Sequence, residues 1–152
     1  LLVTGVQTCA LPICILQAQM QKLLPHYQYM IVDNEAGMEH ISRGILPKVD
    51  TLILVSDCSR RGVQAAGRIA QLAKECNLNP STMGLIVNRA PGGKLNAGTL
   101  EEIEQEGLNL LGVVPHDDLV YEYDCDGKPT VQLPDDSAVR TALNEIIKKI
   151  SL

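Results

Sequence analysis

The chain has 152 residues but no tryptophan and no phenylalanine, and its aromatic content is only 3%. Base-stacking platforms and aromatic-rich interfaces draw on those side chains, so their scarcity argues against both. No apolar run approaches the roughly 20 residues that a helical membrane span needs, and mean hydropathy is near neutral at +0.06. Excess positive charge is missing too. Thirteen Lys and Arg stand against 18 Asp and Glu, a net charge of -5, and the pI is about 5.1. That balance disfavours a nucleic-acid binder working through bulk positive charge. The cysteines (Cys9, Cys14, Cys58, Cys76 and Cys125) have no CxxC or CxC spacing, so they form no visible zinc or redox motif. An odd, scattered set suits the reduced thiols of a cytoplasmic protein, and most such thiols simply pack.

What remains is an aliphatic chain, 45% hydrophobic and 20% charged. Its length suits one domain that buries roughly 70% of its unfolded surface. High aliphatic content with modest net charge excludes wholesale disorder.

Short apolar runs alternate with helical periodicity. Ile15 to Leu24 reads as the end of a helix, and Tyr29 to Val32 as a short buried strand ending at Asp33. A loop containing Gly37 and Gly44 follows. Thr51 to Val55 is a second strand. Arg61 to Cys76 is a helix, with Val63, Ala66, Ile69, Ala70 and Ala73 at spacings of three and four. Met83 to Val87 is a third strand, running into the Gly-rich loop NRAPGGKLNAG. Thr99 with Glu102 reads as a capping box, and that helix stops near Gly107. Leu108 to Val114 is a fourth strand, ended by Pro115. A short helix near Asp117 to Tyr123 precedes a final helix capped by Asp136. On the final helix Val139, Leu143, Ile146, Ile147 and Ile150 share one face, and Lys148 and Lys149 suit the dipole of its last turn. Continuous apolar strands alternating with amphipathic helices predict an α/β fold with a mainly parallel sheet.

In such sheets ligands bind beyond the carboxyl ends of the strands. Asp33, Ser56-Asp57, Asn88-Arg89 and Pro115-His116-Asp117 all follow strand ends, which places the candidate site there. A carboxylate after an apolar strand, as in YMIVD, suits Mg²⁺ held through its water shell. Gly37 allows close approach of a backbone N–H to a phosphate. Asn88 carries both a donor and an acceptor, as a purine edge requires.

The opening LLVTGVQTCALPIC is of a different kind. Residues 3–13 resemble the translation of a sequencing-library adapter, so residues 1–14 are set aside as an artefactual segment, with Cys9 and Cys14.

The strings VDNEAGMEHISRG, LILVSDCSRRGVQ, GLIVNRAPGG and LLGVVPHD, in that order, resemble the deviant-Walker P-loop ATPases of the MinD/ParA/nitrogenase-iron-protein group. Within it they look most like the CooC-type accessory ATPases of nickel insertion into carbon monoxide dehydrogenase and acetyl-CoA synthase. The resemblance covers residues 15–152 and implies a P-loop NTPase-like three-layer sandwich of which this is the C-terminal part. It implies ATP and Mg as cofactors and nickel as cargo. It further implies a nucleotide-gated homodimer and carbon monoxide dehydrogenase/acetyl-CoA synthase as client. Neither nucleic-acid nor membrane partners are expected, because the acidic pI offers no DNA-binding surface and the last helix lacks a basic, membrane-targeting character. Carried over by position, Asp33 is the Walker B carboxylate and Gly37 the γ-phosphate switch. Glu39 and His40 lie in that switch or at the subunit interface. Asn88 and Arg89, with Pro115 and Asp117, form the adenine pocket.

The chain departs from the group in one respect: no GKGGxGKT-like loop occurs in its 152 residues. Gly93-Lys94 and Gly127-Lys128 do not follow a buried strand and open a helix. The group's CxC pair is absent as well. Two other readings stay open, a MinD/ParA-like positioning or regulatory switch and a non-enzymatic α/β binding module. Asp124 to Gly127 starts like a calcium loop, but Lys128 and Pro129 occupy positions that need a ligand and a glycine. His116 lies at the rim, Arg60-Arg61 suits an interaction at a helix start, and Cys58 reads as packing.

The resemblance places a P-loop strand between the strands ending at Asp33 and Val55. A sheet without that strand has two unpaired edges. The 152-residue chain is therefore expected to aggregate or fold only in part; a monomer with one sharp melting transition, seen by light scattering and circular dichroism, refutes this.

Overall fold

A computed structural model describes residues 15, 18–34 and 49–150. The chain divides into two compact units, one of residues 50–71 with 80–152 and one of residues 1–49 with 72–79.

The larger unit contains a parallel sheet of β1 (Thr51–Ser56), β2 (Thr82–Ala90) and β3 (Leu110–Pro115), in that spatial order. Parallel neighbours cannot be joined by a hairpin and need a crossover. Helix α1 (Arg60–Glu75) supplies it between β1 and β2, and α2 (Ala97–Gln105) between β2 and β3. Both crossovers advance in the same direction across the sheet, so the right-handed rule puts α1 and α2 on one face. Helices α3 (Asp118–Cys125) and α4 (Ala138–Ile150) follow β3.

The core has two sides. On one, Leu52 and Leu54 of β1 and Leu85 and Val87 of β2 are buried, as are Val63, Ala66 and Ala70 of α1 and Ile103 of α2. On the other, Ile146 and Ile150 of α4 pack with Ile86, Leu111 and Val114. Gly112 is what lets α4 come this close: a Cβ there would run into the side chain of Ile146. The Lys149 Nζ ammonium also donates to the Leu111 carbonyl at 2.8 Å, tying the last turn of α4 to β3.

Three expectations need correction. The apolar run of β1 implied cover on both faces, yet its burial alternates, with Ile53 39% and Val55 63% exposed. Tyr29 to Val32 is not a strand. It has no ladder partner among the described residues, and Ile31 is 93% exposed. Four apolar residues satisfy the composition of a strand, but only pairing makes one. The caps also differ. Asn96, not Thr99, opens α2, its Oδ1 accepting from the Thr99 N–H at 2.8 Å. At α4 the Ser137 hydroxyl, not Asp136, accepts from the Arg140 N–H at 3.3 Å.

Helix ends follow one rule. Gly107 and Gly127 have φ of 62° and 65°. Each supplies the left-handed residue of a Schellman ending, with Leu108 donating to Ile103 and Lys128 to Tyr123. In the smaller unit Asn77 (φ 57°) does the same at the end of α1, where Leu78 donates to Ala73. Asn tolerates that conformation better than most L-residues. Residues 18–23 of this unit are helical and lead into a 3-10 turn, Leu24–His26.

Gly112→Val would force α4 away from β3. A loss of about 1–3 kcal/mol in unfolding free energy is expected, read from the urea midpoint; an unchanged midpoint refutes the contact.

Candidate functional site

The parallel sheet delivers the carboxyl ends of β1, β2 and β3 to one rim, and the larger unit's polar loops lie there. The end of β2 is irregular. Val87 pairs with Val113 and Ala90 with Pro115. Three steps along β2 thus oppose two along β3, which is a β-bulge at Asn88 and Arg89. Within it Arg89 has φ 57°, a left-handed conformation uncommon for a non-glycine residue. Its N–H donates to Oδ1 of Asn88 at 2.9 Å. Asn88 is half-buried and Arg89 exposed.

The next loop closes on the end of β3. The His116 N–H donates to the Ala90 carbonyl at 2.9 Å. A Cβ at Gly93 would lie 3.6 Å from the Pro115 Cβ. Asp117 then caps α3, its Oδ1 accepting from the Leu119 N–H at 3.0 Å. Four of the expected site residues, Asn88, Arg89, Pro115 and Asp117, therefore share one corner of the rim. His116 joins them but is turned to Asp118, with Nε2 and Oδ1 3.1 Å apart.

The other expected site residues lie outside the larger unit's described residues. Asp33 belongs to the smaller unit, exposed and outside any helix or strand. Gly37, Glu39 and His40 lie outside the described residues. Among the described residues no group of three His, Cys, Asp or Glu converges to hold a metal ion.

A second set of rim contacts was not foreseen. After β1, Asp57 Oδ1 accepts from the Ser59 hydroxyl at 2.6 Å and from the Ser59 N–H at 2.9 Å. These bonds, the hydroxyl's first, hold the Asp57 carboxyl below the usual carboxylate range. Thr99 of α2 donates to the Cys58 carbonyl at 2.7 Å. Glu102, expected to close a capping box, instead lies buried and accepts from Gln64 at 2.8 Å and Arg60 at 2.7 Å. The Gln64 bond and then the Arg60 bond hold its carboxyl low. Arg60 thus finds its partner within the chain. The Arg60–Glu102 spacing of 42 residues carries no local signal; only α1 lying beside α2 brings the two together.

The fit to a nucleotide can be judged from donors. No partner engages the Asn88 Nδ2 donors among the described residues, while Oδ1 keeps one lone pair beyond its bond to Arg89. A half-buried carboxamide with this capacity, beside Pro115, suits a purine edge. For magnesium, Asp33 offers one carboxylate, which suits an ion completed by water and phosphate oxygens.

Glu102 and Asp57 set a pH dependence. Both are carboxyls held low in the folded chain, so their stabilisation is complete above the unfolded range and lost as pH falls through the folded values. Stability should therefore drop below roughly pH 5. Glu102→Gln should lower the neutral-pH urea midpoint and flatten that acid limb. A variant as steep as the parent refutes the assignment.

No family profile matches the chain. It is 32% identical over 136 residues to an uncharacterised ATP-binding protein of Methanocaldococcus jannaschii, covering 86% of this chain and 51% of that protein. It is 29% identical over 117 residues to the carbon monoxide dehydrogenase accessory protein CooC of Rhodospirillum rubrum, covering 74% of this chain and 43% of CooC. Among solved structures it superimposes on the septum site-determining protein MinD of Pyrococcus horikoshii, solved with Mg-ADP, at a TM-score of 0.71. Identity there is 19%, with 89% of this chain and 55% of MinD covered. The chain spans about half the length of these relatives. Its homologues are ATP-binding proteins of the MinD/ParA group, and its parallel α/β fold is theirs.

Proposed function

We propose that the chain forms the base-binding part of an ATP-dependent molecular switch, with the corner between the β2 bulge and Pro115–Asp117 as the adenine pocket. The observation that carries this reading is the half-buried Asn88 carboxamide, its donors free among the described residues, set against the start of the β3–α3 loop. Asn reads adenine well because it accepts from the exocyclic amine and donates to a ring nitrogen. ATP-binding relatives support the same reading. Asp33 would hold Mg²⁺, and Gly37, Glu39 and His40 would form the switch that senses the phosphates. Phosphate cradling falls to a loop of the GKGGxGKT kind, which these 152 residues do not contain.

The finer role we propose is nickel insertion into carbon monoxide dehydrogenase/acetyl-CoA synthase, through a homodimer gated by nucleotide. The string EAGMEHISRG and the likeness to CooC favour it. The likeness to MinD equally supports a positioning or regulatory switch. Among the described residues no helix is long and apolar enough to cross a membrane, in keeping with either role.

Titration of the ¹⁵N-labelled chain with Mg-ATP is expected to move the Asn88 side-chain, Arg89, His116 and Asp117 signals, and Mg-GTP to leave them in place. Shifts confined to other residues, or equal shifts with both nucleotides, refute the adenine pocket. For the finer role, the chain immobilised on a biosensor should capture nickel-free carbon monoxide dehydrogenase; absence of capture favours the positioning or regulatory switch.

A further inference from the structure

The buried face of α2 is mostly polar. Thr99, Glu102 and Ile103 are its buried residues, and Leu100 stays 44% exposed. Helix α1 differs, with Val63, Ala66, Ala70 and Ala73 all buried. Apolar packing thus holds α1 on the sheet, whereas α2 relies on polar bonds. Those bonds go to one place, the turn after β1 and the start of α1. The buried Thr99 hydroxyl donates to the Cys58 carbonyl at 2.7 Å. One helical turn on, the Glu102 carboxylate accepts from Arg60 Nε at 2.7 Å and from Gln64 Nε2 at 2.8 Å. The Arg60 side chain runs along the first turn of α2, its Cδ 3.8 Å from where a Cβ on Gly98 would stand. The turn after β1 has no apolar anchor of its own. Asp57 and Ser59 are exposed and bond to each other, and Cys58 is half-buried. Segments with few buried apolar contacts open at lower free energy than a core ladder, and segments bonded to each other open together.

We infer that residues 57–60 and α2 form one cooperative unit that opens as a whole while the ladder of β1, β2 and β3 stays formed, and that this unit is a movable wall of the corner at Asn88 and Pro115. The wall follows from chain continuity. Residues 91–96 run from the end of β2 to Asn96, the cap of α2. They pass the corner at Gly93, where a Cβ would lie 3.6 Å from the Pro115 Cβ. When α2 is seated, the far end of this loop is anchored. When it is unseated, the loop and the turn after β1 are released together. A role of the wall in nucleotide binding rests on the reading of the corner as a purine site, whereas the cooperative unit stands apart from that reading.

Amide hydrogen exchange of the ligand-free 152-residue chain tests the unit. The Ser59, Leu100 and Glu106 amides are bonded to Asp57, Asn96 and Glu102, and the Leu85 amide to Asn109 across the ladder. The first three are expected to share one opening free energy and to exchange at least about tenfold faster than Leu85. Thr99→Val removes a bond on α2, and Arg60→Met removes one beside the turn. Each is expected to speed exchange about tenfold at Ser59, Leu100 and Glu106 alike, on the scale of one hydrogen bond, with Leu85 unchanged. Thr99→Ser keeps the hydroxyl and should exchange like the parent. If a variant also loses protection at Leu85, the parent in sub-denaturing urea decides: Ser59, Leu100 and Glu106 should show a common urea dependence, weaker than that of Leu85. The unit is overturned by α2 amides as protected as Leu85, by Thr99→Val acting on Leu100 and Glu106 but not on Ser59, or by unequal urea dependences. Saturating Mg-ATP then tests the wall. It should shift the Asn88 side-chain signals and slow exchange in the unit about tenfold. A shift at Asn88 with exchange unchanged overturns the wall alone. No shift at Asn88 refutes the purine reading, and the wall's role in nucleotide binding with it, while the cooperative unit is still decided by the ligand-free exchange.

Discussion

Parallel pairing of β2 with both β1 and β3 is the constraint on which the larger unit depends. A parallel pair forbids a short turn, so each connection must leave the sheet, cross it as a helix and return. All strands then point the same way, and residues far apart in sequence meet at one rim. Asn88 and Pro115 become neighbours because Ala90 and Pro115 pair across the ladder. The same topology lays α1 beside α2 and lets Arg60 reach Glu102. Without the ladder neither contact has a reason to exist.

The rim has a braced part and a presented part. Around β1 and α2 several polar groups are engaged in local bonding. Asp57 is used by Ser59, Cys58 by Thr99, and Glu102 by both Gln64 and Arg60. These bonds brace the segment after β1 against α2. Around β2 and β3 the pattern reverses. At the bulge one backbone amide bonds to the oxygen of a carboxamide whose donors have no partner among the described residues. A rigid support beside an incompletely satisfied carboxamide is what a recognition site requires, since orientation must be settled before binding to confer selectivity.

Much of this was legible in the residues. TLILV, GLIV and LLGVV read as strands because continuous aliphatic runs suit a parallel sheet. The stripe of α1 and the stop at Gly107 were equally plain, because periodicity and left-handed glycine are local properties. Failures arose where the answer was not local. Tyr29 to Val32 has a strand's composition, but no ladder partner for it exists among the described residues. Thr99 and Glu102 have a capping box's spacing, yet Asn96 lies three residues earlier and takes the Thr99 N–H, while Arg60 draws Glu102 away. Ile53 and Val55 look as buried as Leu52 and Leu54, and only the placement of helices over the sheet separates them.

The sequence by itself determined the α/β class, the order of most elements and the residue types at the rim. Apolar periodicity, turn chemistry and strand-end polarity are encoded within a few residues of where they act. It also carried the resemblance from which an ATP-dependent role is proposed. The tertiary structure alone decided which rim residues share a corner, which carboxyl is buried against which cation, and that β2 ends in a bulge. That bulge is a mismatch of two residues against one, and it exists only when Val87 and Ala90 have found Val113 and Pro115 across the sheet. The left-handed residue Arg89 lies within that bulge, and no window of sequence around it contains the pairing.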